Sequence, residues 1–136
     1  MNRTALREHA FQLLYSLEMQ KDDVEEQIKM FCENNEIVSD YEKAYIKDII
    51  EGTKREEVNL MNIISENLKE NWDVSRISKV NLTILKLAIY EILYKEIPFK
   101  AEINEAVELA KKFGDDNSKS FVHGILASVV KKNNIE

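Results

Sequence analysis

The fold is decided by a stretch in the second half of the chain, where residues 77–94 read ISKVNLTILKLAIYEILY. Its apolar side chains fall on nearly all sides of a helix, which is typical of a helix enclosed by other elements. Pro98 follows and is predicted to stop this helix, because proline fixes φ and lacks an amide donor. We therefore expect a buried central helix from about Ile77 to Tyr94.

Further helices are predicted on both sides of this centre, because apolar residues recur there at helical spacing. Ser39 and Glu42 have the spacing of a capping box that begins one of them. Gly114 is expected to end another, and Asn117 or Ser118 can cap the last. These predicted helices cover about residues 3–19, 24–32, 41–50, 58–68, 103–113 and 118–130.

Two segments carry less regular patterns. Gly52 can end the third helix, with Thr53 and Glu56 as a second capping box, or the third and fourth helices can form one kinked helix. Residues 71–73, Asn-Trp-Asp, are interpreted as a loop anchored by a buried Trp72 indole. Both interpretations depend on how these side chains are covered by other helices.

Composition supports the helical prediction. The 136 residues fit one domain with a real core, and 44% hydrophobic with 32% charged residues is the balance of a folded globular chain. Three glycines and one proline leave little material for the tight turns of a β-rich fold. We therefore predict an all-α protein of about seven helices.

Several classes of protein are excluded by the same inventory. No apolar run approaches the roughly 20 residues needed to cross a bilayer. Glu8 and Glu18 interrupt the N-terminal segment, which is therefore not a secretory signal. The single cysteine, Cys32, cannot form an internal disulfide and is expected to be a buried apolar residue. A cytoplasmic protein is predicted.

Catalytic groups are scarce. The sequence has two histidines, His9 and His123, and it has neither a glycine-rich phosphate loop nor a Cys-x-x-Cys pair. His123 is interpreted as a structural residue of the last helix. The sequence therefore predicts a binding protein rather than an enzyme, with no catalytic residue, cofactor or metal.

The distribution of charge leaves room for a nucleic-acid surface. The net charge is −6, yet residues 21–70 alone hold 14 acidic and 7 basic residues. If the first and last helices meet, cations near the two ends of the chain would form one patch able to neutralise phosphates. Tyr15 or Phe121 could stack on an unpaired base. The cations concerned are Arg3, Arg7, Lys111, Lys112, Lys119, Lys131 and Lys132.

Ordered motifs across nearly the whole chain resemble the NusB family of bacterial transcription antitermination factors. The C-terminal half carries the most specific of these motifs, since several follow one another at the family's intervals. They are RTALREHAFQLLY at residues 3–15, NWDVSRI at 71–77, NLTILKLAIYEIL at 81–93, INEAVELAKKFG at 103–114 and SKSFVHGIL at 118–126.

This resemblance implies two packed helical subdomains, covering about residues 1–70 and 71–136. It also implies binding to the single-stranded boxA element of ribosomal-operon leader RNA, together with the small-subunit ribosomal protein that acts as NusE. The complex would join NusA, NusG and RNA polymerase and suppress termination. Monomer and homodimer both stay open.

The resemblance also assigns roles to individual residues. Arg3 and Arg7 match arginines of the family's basic N-terminus and are expected to contact phosphates. Asn81 and Lys86 fall on the side of the central helix that is implicated in the ribosomal-protein contact. Asn104 and Glu105 are expected to be structural. The remaining residues expected at the RNA surface are Tyr15, Asn117, Ser118, Lys119 and Phe121.

Two alternatives stand beside this hypothesis. A helical module used only for docking to another protein would present the same surface with no affinity for RNA. An accessory domain of an RNA methyltransferase is the other, because NusB-like domains also occur fused to such enzymes. The sequence ends at Glu136 without a methyl-donor-binding domain, so this second alternative is disfavoured.

Overall fold

The computed structural model describes residues 1–19 and 23–133 of the chain. Within these residues it contains seven α-helices, a 3₁₀ turn at Val74–Arg76 and no strand, which confirms the all-α prediction. Residues 20–22 and 134–136 lie outside the description. The helices are α1 (Arg3–Met19), α2 (Val24–Asn34), α3 (Asp40–Arg55), α4 (Glu57–Glu66), α5 (Lys79–Tyr94), α6 (Phe99–Phe113) and α7 (Ser118–Lys132).

The chain divides into two compact units, Met1–Arg55 and Glu56–Glu136. Helix α4, which the family resemblance grouped with the N-terminal half, belongs to the second unit because it packs against α5 and α7. Leu60 and Ile64 are its fully buried side chains. The grouping of helices therefore changes near residue 55, earlier than the predicted division near residue 70.

In the first unit, α1 and α2 both pack against α3. Helix α1 begins at Arg3 because Asn2 accepts a hydrogen bond from the amide of Ala5 at 2.8 Å. Cys32 is buried as predicted, and burial raises the pKa of its thiol. The apolar core of the unit includes Leu6, Ala10, Phe11, Leu13, Leu14, Ile37, Ile46, Ile49 and Ile50.

Helix α3 begins where the sequence predicts and ends later. The hydroxyl of Ser39 accepts a hydrogen bond from the amide of Glu42 at 3.1 Å, which confirms the first half of the predicted capping box. The helix then continues through Gly52 and Thr53, both of them buried. Thr53 donates its hydroxyl to the carbonyl of Ile49 at 2.7 Å. The second capping box is therefore wrong, because this threonine bonds back into its own helix.

In the second unit, α5 is enclosed by α4, α6 and α7. Its buried residues run without interruption from Thr83 to Ile92, as the all-round apolar pattern predicts. Burying one such leucine or isoleucine contributes about 1.5–3 kcal/mol. The hydroxyl of Ser78 caps the start of the helix by accepting the amide of Asn81 at 3.1 Å.

The role predicted for Pro98 is wrong. Helix α5 already ends at Tyr94, and Glu96 then takes a left-handed conformation with φ of 53°. The amide of Ile97 returns to the carbonyl of Glu91 at 3.1 Å, as in the reversals that end many helices. Pro98 instead occupies the N-cap position of α6, where its missing amide hydrogen costs nothing. Helix α6 therefore begins at Phe99, before the predicted Ile103.

None of the described helices is long and apolar enough to span a membrane.

Candidate nucleic-acid interface

The loop between α6 and α7 is held by Ser118. Its hydroxyl accepts the amide of Asp115 at 3.0 Å and donates to the Asp115 carboxylate at 3.3 Å. The same carboxylate accepts the amide of Asn117 at 2.9 Å. Gly114 ends α6 as predicted, with its amide donating to the carbonyl of Ala110. These bonds fix the direction in which α7 starts.

The start of α7 carries one exposed cation and one half-buried aromatic ring. Asn117 and Lys119 are exposed, and Phe121 is half-buried. Asn117 stands at the N-cap position, but its side chain makes no capping hydrogen bond. Ser118 is only 1% exposed, so its side chain holds the loop and only its backbone lies near the surface. Asn117, Lys119 and Phe121 are therefore the predicted RNA residues whose side chains reach the surface at the start of α7, with Lys119 on a different side of the helix from Phe121.

The prediction that the Trp72 indole is buried is wrong. This side chain is 51% exposed and stacks on Phe121, with ring centroids 6.0 Å apart and planes inclined by 29°. Polar neighbours, Asn71 and Asp73, keep the segment at the surface and were the signal available in the sequence. Trp72 is a surface residue beside the predicted RNA residues that the sequence did not assign to the site.

The segment around Trp72 is held by hydrogen bonds on both sides. The Trp72 amide donates to the carbonyl of Lys69 at 3.0 Å. Asp73 accepts the amide of Ser75 at 3.0 Å as the cap of the 3₁₀ turn. This backbone donor, together with the Ser75 side chain, holds the pKa of the Asp73 carboxyl below its ordinary value.

In the first unit, Arg3 is exposed and lies against two tyrosines. Its guanidinium carbon is 4.6 Å from the centre of the Tyr45 ring, and one of its nitrogens donates to the hydroxyl of Tyr41. A cation over an aromatic face is held in a limited range of directions. A guanidinium also carries further donors for a phosphate. Arg3 is therefore a surface cation, and its contact with a phosphate stays a prediction.

Arg7 and Tyr15 differ in exposure. Arg7 is only 4% exposed, so the structure gives it a place in the interior of the folded chain. Tyr15 is half-buried, and its ring stacks on Phe11 with centroids 6.2 Å apart. The phosphate contact of Arg7 and the base contact of Tyr15 stay predictions, and burial stands against the first of them.

Asn81 and Lys86 are also buried. The Lys86 ammonium lies 2.6 Å from a carboxylate oxygen of Glu57, and the Lys86 side chain is 4% exposed. Asn81 is 9% exposed at the start of α5. Their contact with a ribosomal protein stays a prediction. Glu57, on α4, was missed because nothing in the sequence links it to a residue 29 positions later.

The other predicted cations have individual surroundings. Lys111 lies 3.2 Å from Glu108, Lys132 donates to the carbonyl of Glu66 at 2.7 Å, and Lys112 lies over the Phe113 ring. Lys131 is exposed. The meeting of the first and last helices in one groove would join residues of different units, and it stays a prediction.

The described part of the chain offers no cluster of three His, Cys, Asp or Glu side chains able to hold a metal ion. His9 contacts the edge of the Phe31 ring with centroids 5.8 Å apart, and His123 is exposed. Neither histidine therefore belongs to such a cluster among the described residues.

The sequence matches the family model described as the NusB family over residues 4–131. The chain belongs to the NusB family. The transcription antitermination protein NusB of Ruminiclostridium cellulolyticum is 44% identical over 132 residues, which cover 96% of this chain and 90% of that protein. The resemblance predicted from the motifs is confirmed, and transcription antitermination is the function assigned to these NusB relatives.

Solved NusB structures share the fold. T. maritima NusB superimposes with a TM-score of 0.87 at 32% identity, covering 97% of this chain and 92% of that one. A crystal structure of the antitermination factors NusB and NusE in complex with dsRNA gives a TM-score of 0.85 at 24% identity, covering 96% of each chain. The second likeness establishes the common fold.

Proposed function

We propose that this NusB-family chain acts in transcription antitermination by binding the single-stranded boxA element of ribosomal-operon leader RNA together with the ribosomal protein NusE. The observation that carries the proposal is the start of α7, whose first turns carry an exposed cation, Lys119, and a half-buried aromatic ring, Phe121. The cation suits a phosphate, and the ring suits an unpaired base. NusA, NusG and RNA polymerase would be joined through this complex, which places the action in the cytoplasm.

Charge explains why a protein partner is part of the proposal. The chain carries a net charge of −6, so long-range electrostatics favours RNA binding little. A ribosomal protein that binds both the chain and the RNA adds positive surface and makes the second contact intramolecular. By linkage, RNA must then strengthen binding of the ribosomal protein by the same factor. The proposal is therefore a cooperative ternary complex.

The primary test is RNA affinity with and without the ribosomal protein over a series of salt concentrations. We expect affinity to rise when the partner is present and to fall as salt rises, because Lys and Arg contacts release counterions from the RNA. An RNA affinity that responds to neither partner nor salt would contradict the proposal.

Charge reversals separate RNA binding from protein docking alone. Arg3→Glu and Lys119→Glu are the informative variants, since both side chains are exposed and a reversal need not disturb the core. Lys47→Glu, at another exposed cation, is the control with the same charge change. We expect the first two to weaken RNA binding more than the control. A module that only docks to protein would never bind RNA and would keep its partner in all three variants.

A further inference from the structure

We propose that Trp72 and Phe121 form an aromatic platform, and that the outer face of the Trp72 indole stacks on an unpaired base of the bound RNA. This inference rests on the proposed function and adds a binding residue to it. The two rings are 6.0 Å apart with planes inclined by 29°, so one face of the indole is directed at Phe121. About half of Trp72 is exposed, and we assign this exposed surface to the indole face that is turned away from Phe121.

The platform is held in place before any ligand arrives. The Trp72 amide donates to the Lys69 carbonyl, and the following Asp73 caps the 3₁₀ turn through the Ser75 amide. On the other side, Phe121 lies in the first turns of α7, whose start is fixed by the bonds of Ser118. A ring that is already oriented loses little freedom on binding, which favours affinity.

The charges around the platform favour a base over a cluster of phosphates. The charge of the adjoining segments is mixed, because Lys69, Arg76 and Lys119 are exposed cations and Asp73, Asp115 and Asp116 are exposed carboxylates. Asp73 and Asp115 are turned toward backbone amides, which satisfy part of their charge. An uncharged base can lie on the indole without opposing these groups, and every base offers such a face.

The position of the platform identifies RNA as its occupant. Phe121 belongs both to the platform and to the segment Asn117–Phe121 proposed to contact RNA, so the exposed indole extends that surface. A protein partner would be the other class of molecule able to cover an exposed tryptophan. If a protein partner and not RNA covers Trp72, the proposal is wrong, and the variants below distinguish the two cases.

Two substitutions of Trp72 distinguish stacking on a base from a simple apolar contact. Trp72→Phe keeps an aromatic face, whereas Trp72→Leu keeps an apolar contact with Phe121 and removes the face. With a single-stranded boxA oligonucleotide as probe and the ribosomal protein present, we expect Trp72→Leu to raise the Kd about 5- to 150-fold, the range of one base–aromatic stack. Trp72→Phe is expected to stay within about fivefold of the parent chain.

Salt dependence separates the platform from the neighbouring cation. Lys119→Ala should make the slope of log affinity against log salt shallower by about 0.7, the loss of one contact to a single strand. Trp72→Leu should leave that slope unchanged, because stacking releases no counterions. A Trp72→Leu chain with a changed slope and an unchanged Kd at low salt would overturn the stacking assignment.

Fluorescence gives a readout that needs no variant. Trp72 is the only tryptophan of the sequence, so all indole emission reports on this one ring. We expect single-stranded boxA RNA to quench this emission and to protect it from acrylamide, while the same RNA annealed to its complement does neither. Parent chains that bind the single strand with unchanged emission and quenching would overturn the proposal.

The outcomes distinguish this inference from the proposed function. If the parent chain with its ribosomal partner binds no boxA RNA, the proposed function fails and the platform fails with it. If the parent chain binds and Trp72→Leu binds equally well, only the platform fails. If Trp72→Leu loses the ribosomal protein in the absence of RNA, the indole is a protein contact and the platform is again overturned. Circular dichroism of each variant establishes that it is folded.

Discussion

The ammonium of Lys86 on α5 lies 2.6 Å from the carboxylate of Glu57 on α4, with the lysine side chain buried and the glutamate half exposed. The pair joins the first helix of the second unit to its central helix. A buried ammonium that loses a carboxylate keeps its desolvation cost without the compensating attraction. Removal of Glu57 therefore takes away part of the attraction that offsets the burial of the Lys86 ammonium.

We predict that Glu57→Ala lowers the free energy of unfolding by about 1–2 kcal/mol, a value reduced by the exposure of the glutamate. Lys86→Met, which removes the buried charge itself, should cost less. Urea denaturation measures both, with Glu70→Ala as the control at an exposed glutamate. A larger loss in Lys86→Met than in Glu57→Ala would contradict this account. Binding of the ribosomal protein to Lys86→Met then tests whether Lys86 has a second role.

The two N-terminal arginines, Arg3 and Arg7, are predicted to contribute differently to the free energy of unfolding. Arg7 is 4% exposed, and a buried guanidinium persists only where its donors are satisfied, so Arg7→Ala should cost about 1–3 kcal/mol of stability. Arg3→Ala removes an exposed cation and its contact with Tyr45, and should cost less than about 1 kcal/mol. Urea denaturation and the salt slope of RNA binding are the measurements. If Arg7→Ala kept the stability of the parent chain and weakened the salt dependence of RNA binding, Arg7 would be an RNA contact and not a structural residue.

Two glycines provide a matched pair. A Cβ at Gly114 would lie 2.3 Å from the Ser118 hydroxyl and 2.8 Å from the Ala110 carbonyl, so Gly114→Ala must displace the anchor of α7. We predict a loss of about 1–3 kcal/mol. Gly124, inside α7, has nothing within 4 Å of its added Cβ, and Gly124→Ala should stabilise by about 0.5–1 kcal/mol. The melting temperature should fall in Gly114→Ala and rise in Gly124→Ala. A change of the same sign in both variants would contradict the packing argument.

The stability of the segment that carries Trp72 is predicted to depend on pH through the carboxyl group of Asp73. The Ser75 amide holds the pKa of Asp73 below its ordinary value of 3.8, so the native state favours the carboxylate. This contribution is fully present above the ordinary value, and it is lost as pH falls through the lowered native pKa. The carboxyl resonance of Asp73, followed by NMR, should therefore titrate below 3.8.

Trp72 emission should change over the same acidic interval, because the neighbouring cap weakens when the carboxylate is protonated. Asp73→Asn is the control, since the amide can still accept a hydrogen bond but does not titrate in this range. An emission change of equal size in the control would assign the transition to another group.

The parts of the fold that depend on local chemistry were predictable from the sequence. Helix α1 was predicted from Arg3 to Met19 and has those bounds, the Ser39 cap is present, and Gly114 ends α6. Each of these features follows from spacing or from a side chain bonding to its own neighbourhood. The central position of α5 was predictable for a related reason, since an all-round apolar helix requires cover on every side.

The predictions that were wrong concern features that depend on tertiary packing. Thr53 and Pro98 each have two local roles, and the choice between them depends on the packing of the helix that contains them. The exposure of Trp72 and the burial of Arg7 depend on which neighbours cover them, which spacing does not encode. The Glu57–Lys86 pair likewise joins two helices that only the tertiary fold brings together. The accessibility of the predicted site residues was therefore not predictable from the sequence.

The membership of α4 in the second unit has a practical consequence for anyone dividing the gene into separately expressed pieces. A C-terminal fragment that starts at residue 71, at the visible change in sequence character, would lack the Leu60 and Ile64 side chains that cover α5 and α7. The apolar surface of α5 and α7 that Leu60 and Ile64 cover would then be exposed, and Lys86 would lose its contact with Glu57, so we expect such a fragment to aggregate. Truncations of this chain should begin at or before Glu56.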